Sequence, residues 1–321
     1  MPDPQDPVAP SHRRTGPPPE RISVVIAHLN QPAMLAACLQ AVMAGTRRPD
    51  EVIVVDNGSV MPPVEICARH PQVRLIAEPT PGPGPARSTG ARAATGTILA
   101  FTDADCLPDA GWLAAAERAL AEPGVEILGG DVRIACADPA RPTMIEAYES
   151  IFGFRNQMYI ERQNFSVTCN LVTRPATWAT VGDFAGLDKA EDNDWGARAT
   201  AMGYRIRFRP EALVRHPARP DMAALRRKWD RHTGHFYHEA RSRRFGRIGW
   251  ALRMVAMALS PLGELPGILT SDRVRGPRAR ALAFAGLVRI RLYRAWLMAW
   301  LLAGGDPATL AGRWNRAPAR G

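Results

Sequence analysis

No C-x-x-C pair, no run of twenty apolar residues and no internal repeat occurs in this 321-residue chain, and each absence removes a class of protein. The five cysteines, Cys38, Cys67, Cys106, Cys136 and Cys169, are scattered and odd in number. That pattern argues against a disulfide framework and against a thiolate zinc site, and it favours a reducing compartment. Residues 1–20 are rich in proline and lack the apolar stretch of a secretory signal, so they read as a disordered tail. A bilayer-spanning helix needs about 20 uninterrupted apolar residues. Arginines or prolines interrupt both C-terminal candidates, 245–269 and 279–303. Lysine is scarce too. Lys189 and Lys228 stand alone, so the positive charge is almost wholly arginine.

The net charge of +10 is unevenly spread. Residues 1–220 hold 22 Arg/Lys against 25 Asp/Glu, whereas residues 221–321 hold 19 against 6. A near-neutral body with a basic last third suggests a polyanionic partner. No reading helix or aromatic-basic platform is visible, which argues against DNA; an anionic membrane surface or RNA stays open. Mixed tryptophan, leucine and arginine on helices over 221–321 fit in-plane insertion at a bilayer, arginines reaching the phosphates. The plain alternative is an ordinary helical subdomain or an oligomer contact.

From Arg21 the chain alternates. Residues 22–26, 51–55, 73–77 and 97–102 read as short buried strands, with helices predicted over 32–44, 63–70 and 86–94. This order implies a parallel α/β sheet with ligands at the carboxyl ends of its strands. Asp56 and the Asp103-Ala104-Asp105 run fall at such ends. Two acids at i and i+2 on a turning chain can converge on a hard divalent cation. A lone D-x-D also serves as a solvated turn. Farther on, 125–134 and 167–172 read as strands, and 144–157 and 190–202 as helices, the latter closed by Gly203. Short edge strands are expected at 205–210 and 213–214, then helical stretches at 221–244, 245–269 and 279–303.

Residues 22–216 resemble a family 2 glycosyltransferase, and five stretches in order carry the resemblance. Val24-Val25-Ile26-Ala27-His28-Leu29-Asn30 is similar to the family's V-V-I-P-x-x-N, with Ala27 where proline is usual. Ile53-Val54-Val55-Asp56-Asn57-Gly58-Ser59 is close to I-V-V-D-D-G-S. Gly84-Pro85-Ala86-Arg87-Ser88-Thr89-Gly90 resembles G-x-x-x-A-R-N-x-G, one residue shorter and with serine for asparagine. Phe101-Thr102-Asp103-Ala104-Asp105 matches F-L-D-x-D. Glu191-Asp192-Asn193-Asp194-Trp195, with Arg198 and Gly203, resembles E-D-x-D-L…R…G.

The resemblance implies a GT-A fold, the Rossmann-like architecture of nucleotide-diphospho-sugar transferases, over 21–220; the composition of 221–321 adds a basic, helical, membrane-associating extension to that expectation. It implies inverting transfer of a sugar from a nucleotide-diphospho-sugar to an acceptor hydroxyl. Ala27, Leu29, Asp56, Arg87 and Asp103 would then bind the donor, and Asn170 would line the acceptor side. Asp103 and Asp105 would hold Mg2+ or Mn2+. His216 would be a third ligand or a phosphate contact, its alternative being a structural histidine. Asp192 would be the general base, with Glu191 in reserve. Acids at a helix start also complement the helix dipole, which keeps a carboxylate ionised as a base must be. A monotopic, cytoplasmic-face enzyme suits a lipid-linked acceptor or a cell-envelope glycan.

Two other readings compete. A sugar-phosphate nucleotidyltransferase needs a glycine-rich arginine loop near the amino terminus, which is absent. A non-catalytic membrane-binding module leaves the acids at the motif positions unexplained. His232, His235 and His238, at i, i+3 and i+6, span too broad a face for zinc. Leu225-Arg226-Arg227-Lys228-Trp229 lacks the glutamine of the Q-x-x-R-W found in processive synthases.

Overall fold

The computed structural model describes residues 20–187, 189–241 and 246–311. The proline-rich tail, apart from Glu20, lies outside them, as do the side chains of His235 and His238.

The first half winds as its alternation implies: β1 (Ile22–His28), α1 (Pro32–Met43), β2 (Glu51–Asp56), α2 (Val64–Ala68), β3 (Val73–Ala77), α3 (Pro83–Ala93) and β4 (Ile98–Asp103). There follow β5 (Leu107–Pro108), α4 (Trp112–Leu120), β6 (Ile127–Ala135), α5 (Met144–Phe152), α6 (Asn156–Gln163), β7 (Leu171–Thr173), α7 (Pro175–Val181), α8 (Glu191–Ala201) and β8 (Ile206–Pro217). All eight strands form one sheet in the order β3-β2-β1-β4-β7-β6-β8-β5. The strands of the first half are parallel, but β7 runs antiparallel to both β4 and β6, so the sheet is mixed. Strands β1, β2 and β4 are buried on both faces, as continuous Val/Ile runs require.

Several boundaries differ from the sequence pattern for identifiable reasons. The run at 167–172 opens as a tight 3-10 turn, Thr168–Asn170, before β7. The expected edge strands at 205–214 are one strand, β8, seated between β6 and β5. Its register on β6 breaks between Gly130 and Val132, opposite Pro210, which has no N–H to give a ladder. The helix expected over 144–157 splits after Phe152. Its first part is fixed by a capping box between Thr143 and Glu146.

Three long helices close the described chain: α9 (Met222–Arg241), α10 (Gly246–Thr270) and α11 (Gly276–Leu302), with a last turn, α12 (Ala308–Ala311). Pro261 and Pro266 lie inside α10 rather than breaking it. Ser260 Oγ donates to the Met257 carbonyl at 2.8 Å, taking the place of the N–H that Pro261 lacks. Uninterrupted, α10 is long and apolar enough to cross a bilayer by length and composition, and only 11% of that stretch is buried. That length and exposure are consistent with a membrane-associating extension. Helix α11 holds the unit to the sheet domain by packing on α5, where a Cβ at Gly286 would come within 2.7 Å of Tyr148.

Candidate active site

The site grows from sheet register. Ala27 pairs with Asp103 across β1 and β4, and His28 pairs with Asp56 across β1 and β2, so the motif strands end along one rim. A cleft of about 350 Å3 opens there, lined by Ala27, Leu29, Arg87, Asp103, Asp105 and Glu191, together with His28, Gln31, Asn57 and Pro83.

Arg87 is its organising side chain. It is 3% exposed. Its Nη1 donates to Glu191 Oε1 at 2.8 Å, and its Nη2 donates to Asp103 Oδ1. Burial alone would lower the guanidinium's pKa, but Asp103 and Glu191 outweigh it and raise the value. Residues distant in sequence meet here because α3 comes very close to its neighbours. A Cβ at Gly84 would stand 1.9 Å from the Ala185 carbonyl oxygen, and one at Gly90 would stand 2.4 Å from Val25. Asn57 fixes the approach. Its Nδ2 donates to the Glu78 and Thr80 carbonyls, and its Oδ1 accepts from Gly82 N–H.

Asp192 follows Glu191 in the first turn of α8 and is half-buried. Burial, and then repulsion from Glu191, pushes its carboxyl up to about 6. Asn193 N–H and Arg87 act in the opposite sense. The Tyr159 hydroxyl lies within its field and is raised in turn, chiefly by its own burial.

Asp56 is turned toward His28. His28 Nε2 accepts from Gln31 N–H at 3.2 Å, which leaves Nδ1 as the donor to Asp56 Oδ1 at 2.9 Å. Ser59 N–H donates to the other carboxylate oxygen. Asp56, 5% exposed, is thus held by two partners at the end of β2, beside the cleft-lining His28.

The two acids of Asp103-Ala104-Asp105 do not face one another. Asp103 is held by Arg87, while Asp105 Oδ2 stands 3.5 Å from His216 Nε2. His216 Nδ1 lies 2.7 Å from the Pro217 carbonyl oxygen, which only accepts, so Nδ1 carries the proton. The Nε2 lone pair then faces a carboxylate, and two acceptors so placed suit a cation between them. Cys106 Sγ is near both. Its hydrogen bond with Cys169, then burial, holds it well above the usual thiol range, so it stays a poor ligand. The donor set of Asp105 and His216, with Asp103 adjacent, fits Mg2+ or Mn2+.

Asn170 corrects an expectation. It is 0% exposed, donates to the Asp131 and Ala212 carbonyls, and accepts from Trp112 Nε1, so its whole amide is engaged in tying β6, β8 and α4 together. Arg92 pairs with Asp183 on the surface. His28, Gln31, Asn57 and Pro83 line the cleft without having been singled out. A histidine ending a buried apolar strand was the available signal for the first.

A sheet parallel through β3-β2-β1-β4, with acids at its carboxyl rim and Arg87 from α3, places a ligand cleft at the strand ends, as the GT-A fold does. The comparisons with known proteins give the family. The profile described as Glycosyl transferase family 2 matches residues 23–181. The chain is 33% identical over 216 residues to glycosyltransferase AglE of Haloferax volcanii, covering 65% of this chain and 70% of that protein. It is 28% identical to the pre-mycofactocin glycosyltransferase of Mycobacterium tuberculosis over 68% of its own length and 46% of that protein's. Mannosyltransferase PcManGT from Pyrobaculum calidifontis, solved with GDP-Man and Mn2+, shares the fold at TM-score 0.51 and 20% identity, covering 90% of this chain and 77% of that one. This chain belongs to glycosyl transferase family 2.

Proposed function

We propose that this glycosyltransferase moves a sugar from a nucleotide-diphospho-sugar to an acceptor hydroxyl with inversion, using Asp192 as the general base. The observation that carries the reading is the position of Asp192 beside the Arg87–Glu191–Asp103 cluster, with its carboxyl pushed up to about 6. Such a group is ionised near neutral pH and still basic enough to take a hydroxyl proton. Asp192 accepts that proton as the acceptor oxygen bonds to the anomeric carbon. The bond from that carbon to the diphosphate oxygen breaks on the opposite face. Glu191 is spent on Arg87, so it positions rather than deprotonates.

Asp105 and His216, with Asp103, would hold Mg2+ or Mn2+, which supplies Lewis-acid stabilisation to the departing diphosphate. The GDP-Man and Mn2+ on the Pyrobaculum enzyme support a donor of this kind here. Ala27 and Leu29 would carry the nucleotide end of the donor, beside the Asp56–His28 pair. The apolar α10 and the arginine-rich last third support a peripheral seat on the anionic cytoplasmic face of a membrane. There the acceptor is a lipid-linked or cell-envelope glycan.

The test is a panel of nucleotide sugars with Mn2+, assayed for nucleoside diphosphate release by the native enzyme and by Asp192→Asn. One donor should support turnover, and the variant should bind that donor while losing transfer. Full turnover by Asp192→Asn sinks the assignment.

A further inference from the structure

A second cavity lies apart from the catalytic cleft, among α9, α10 and α11. It encloses about 360 Å3, within the span of about 300–1,000 Å3 usual for small-ligand sites. Phe236, Trp250, Ala256, Met257 and Met298 make its apolar walls. Its charged lining is entirely cationic: Arg253, Arg291 and Arg294.

These guanidiniums are poorly compensated. Among the described residues, Arg291 has one carboxylate within reach, Glu264 at 3.7 Å, and Glu264 pairs more closely with Arg155 at 2.9 Å. No ion pair or hydrogen bond joins Arg253 or Arg294 to a described residue. The Nε of Arg294 is buried without an acceptor, although its guanidinium lies 3.9 Å over the Trp229 ring. Burial, and then repulsion from Arg291, pulls Arg294 down to about 10. Thr233, 2% exposed, adds a buried hydroxyl with no partner to the same lining. The half-buried guanidiniums of Arg291 and Arg294, the buried Arg294 Nε and the unanswered Thr233 hydroxyl call for an anion. The apolar walls call for something more than a free ion.

We propose that this cavity binds the phosphate headgroup of a lipid. Arg253, Arg291 and Arg294 hold the phosphate oxygens, and the first carbons of the chain lie against Trp250, Met257 and Met298. The surroundings favour a lipid over soluble phosphate. On α10, Ile248, Leu252, Val255, Leu259 and Leu262 recur at helical spacing and are all exposed, Leu262 to 70%. Trp296 on α11 is 61% exposed. A chain of side chains, Trp229, Lys228 and Phe154, runs from the cavity to His216 at the catalytic rim. Trp229 lies under Arg294, and the neighbouring Lys228 ammonium sits 5.9 Å from the Phe154 ring, which packs 4.9 Å from His216. The site is independent of which sugar the cleft transfers.

Binding to the full chain is measured by calorimetry and tryptophan fluorescence, with octyl phosphate below its micelle concentration, inorganic phosphate, and octanol. Octyl phosphate should saturate one site, at least about tenfold tighter than either of the other two. Arg253→Ala and Arg294→Gln should each weaken it by about fivefold or more. Arg253 is exposed, so its replacement tests the site even where Arg294→Gln unfolds. Arg253→Ala should leave nucleotide-sugar hydrolysis unchanged, which separates failure here from failure of the catalytic reading. Vesicles carrying phosphatidic acid should retain the native chain more strongly than Arg253→Ala. Equal affinity for inorganic and octyl phosphate overturns the proposal in favour of a free-anion site. Equal affinity for octanol and octyl phosphate, or no change in Arg253→Ala, overturns it outright.

Discussion

The catalytic rim and the C-terminal helices both gather arginine, but they treat its charge in opposite ways. At the rim, Arg87 is enclosed by two carboxylates from different elements, Asp103 at the end of β4 and Glu191 at the start of α8. Of the three cavity arginines, Arg291 alone has a carboxylate near it among the described residues, Glu264 at 3.7 Å. A cation answered from within makes a preorganised site, because no ligand is needed to hold it in place. A cation left unanswered makes a site that an outside anion completes. The same residue type thus serves catalysis in one region and recognition in the other.

The sharpest break in the comparison comes from removing the base. Asp192→Asn should lower kcat by about 10²–10⁴-fold, with donor affinity retained by calorimetry. The raised carboxyl also gives a stability sign. A group whose folded pKa lies above its unfolded value destabilises the fold once ionised, so the loss is present at pH 8 and fades as pH falls through about 6. Asp192→Asn should therefore melt higher than the native chain at pH 8, by about 1–2 kcal/mol after solvent screening. A lower melting temperature there would contradict the assigned environment.

Chelation by EDTA, or Asp105→Ala, should cost about 100-fold in transfer, restored by Mn2+ in the chelated enzyme but not in the variant. Unchanged turnover in Asp105→Ala would remove the cation from Asp105. The smallest effect falls on packing. Asn170→Ala leaves the Asp131 and Ala212 carbonyls and Trp112 Nε1 without partners, so it should destabilise by about 1–3 kcal/mol in a denaturant titration. Its KM for donor should not move; a large rise would return Asn170 to the ligand surface.

The legible part of this chain was the part written in local pattern. Val/Ile runs ending in acids placed Asp56, Asp103 and Asp105 at strand ends, and those ends do lie along one rim. What side chains do across elements was not legible. Nothing near Asp103 in sequence announces that Arg87 holds it, or that Asp105 looks instead to His216 on β8. Asn170 has the same chemistry whether it meets a ligand or three backbone and indole groups, so only burial decides its role. The antiparallel β7 was hidden because a three-residue strand carries no direction in its composition. Pro261 and Pro266 read as breaks, yet both lie inside α10, where Ser260 replaces the donor that Pro261 lacks. The cationic cavity has no motif, because its lining comes from three helices spread over residues 233–298.

The pH dependence of kcat/KM for sugar transfer, measured for the native chain and for Glu191→Gln, tests the central assignment most directly. The native profile should lose activity as pH falls through about 6, because the base must be ionised. Removing the neighbouring negative charge should move that limb to lower pH. A profile flat from pH 5 to 8, or a limb that stays in place without Glu191, would contradict the account.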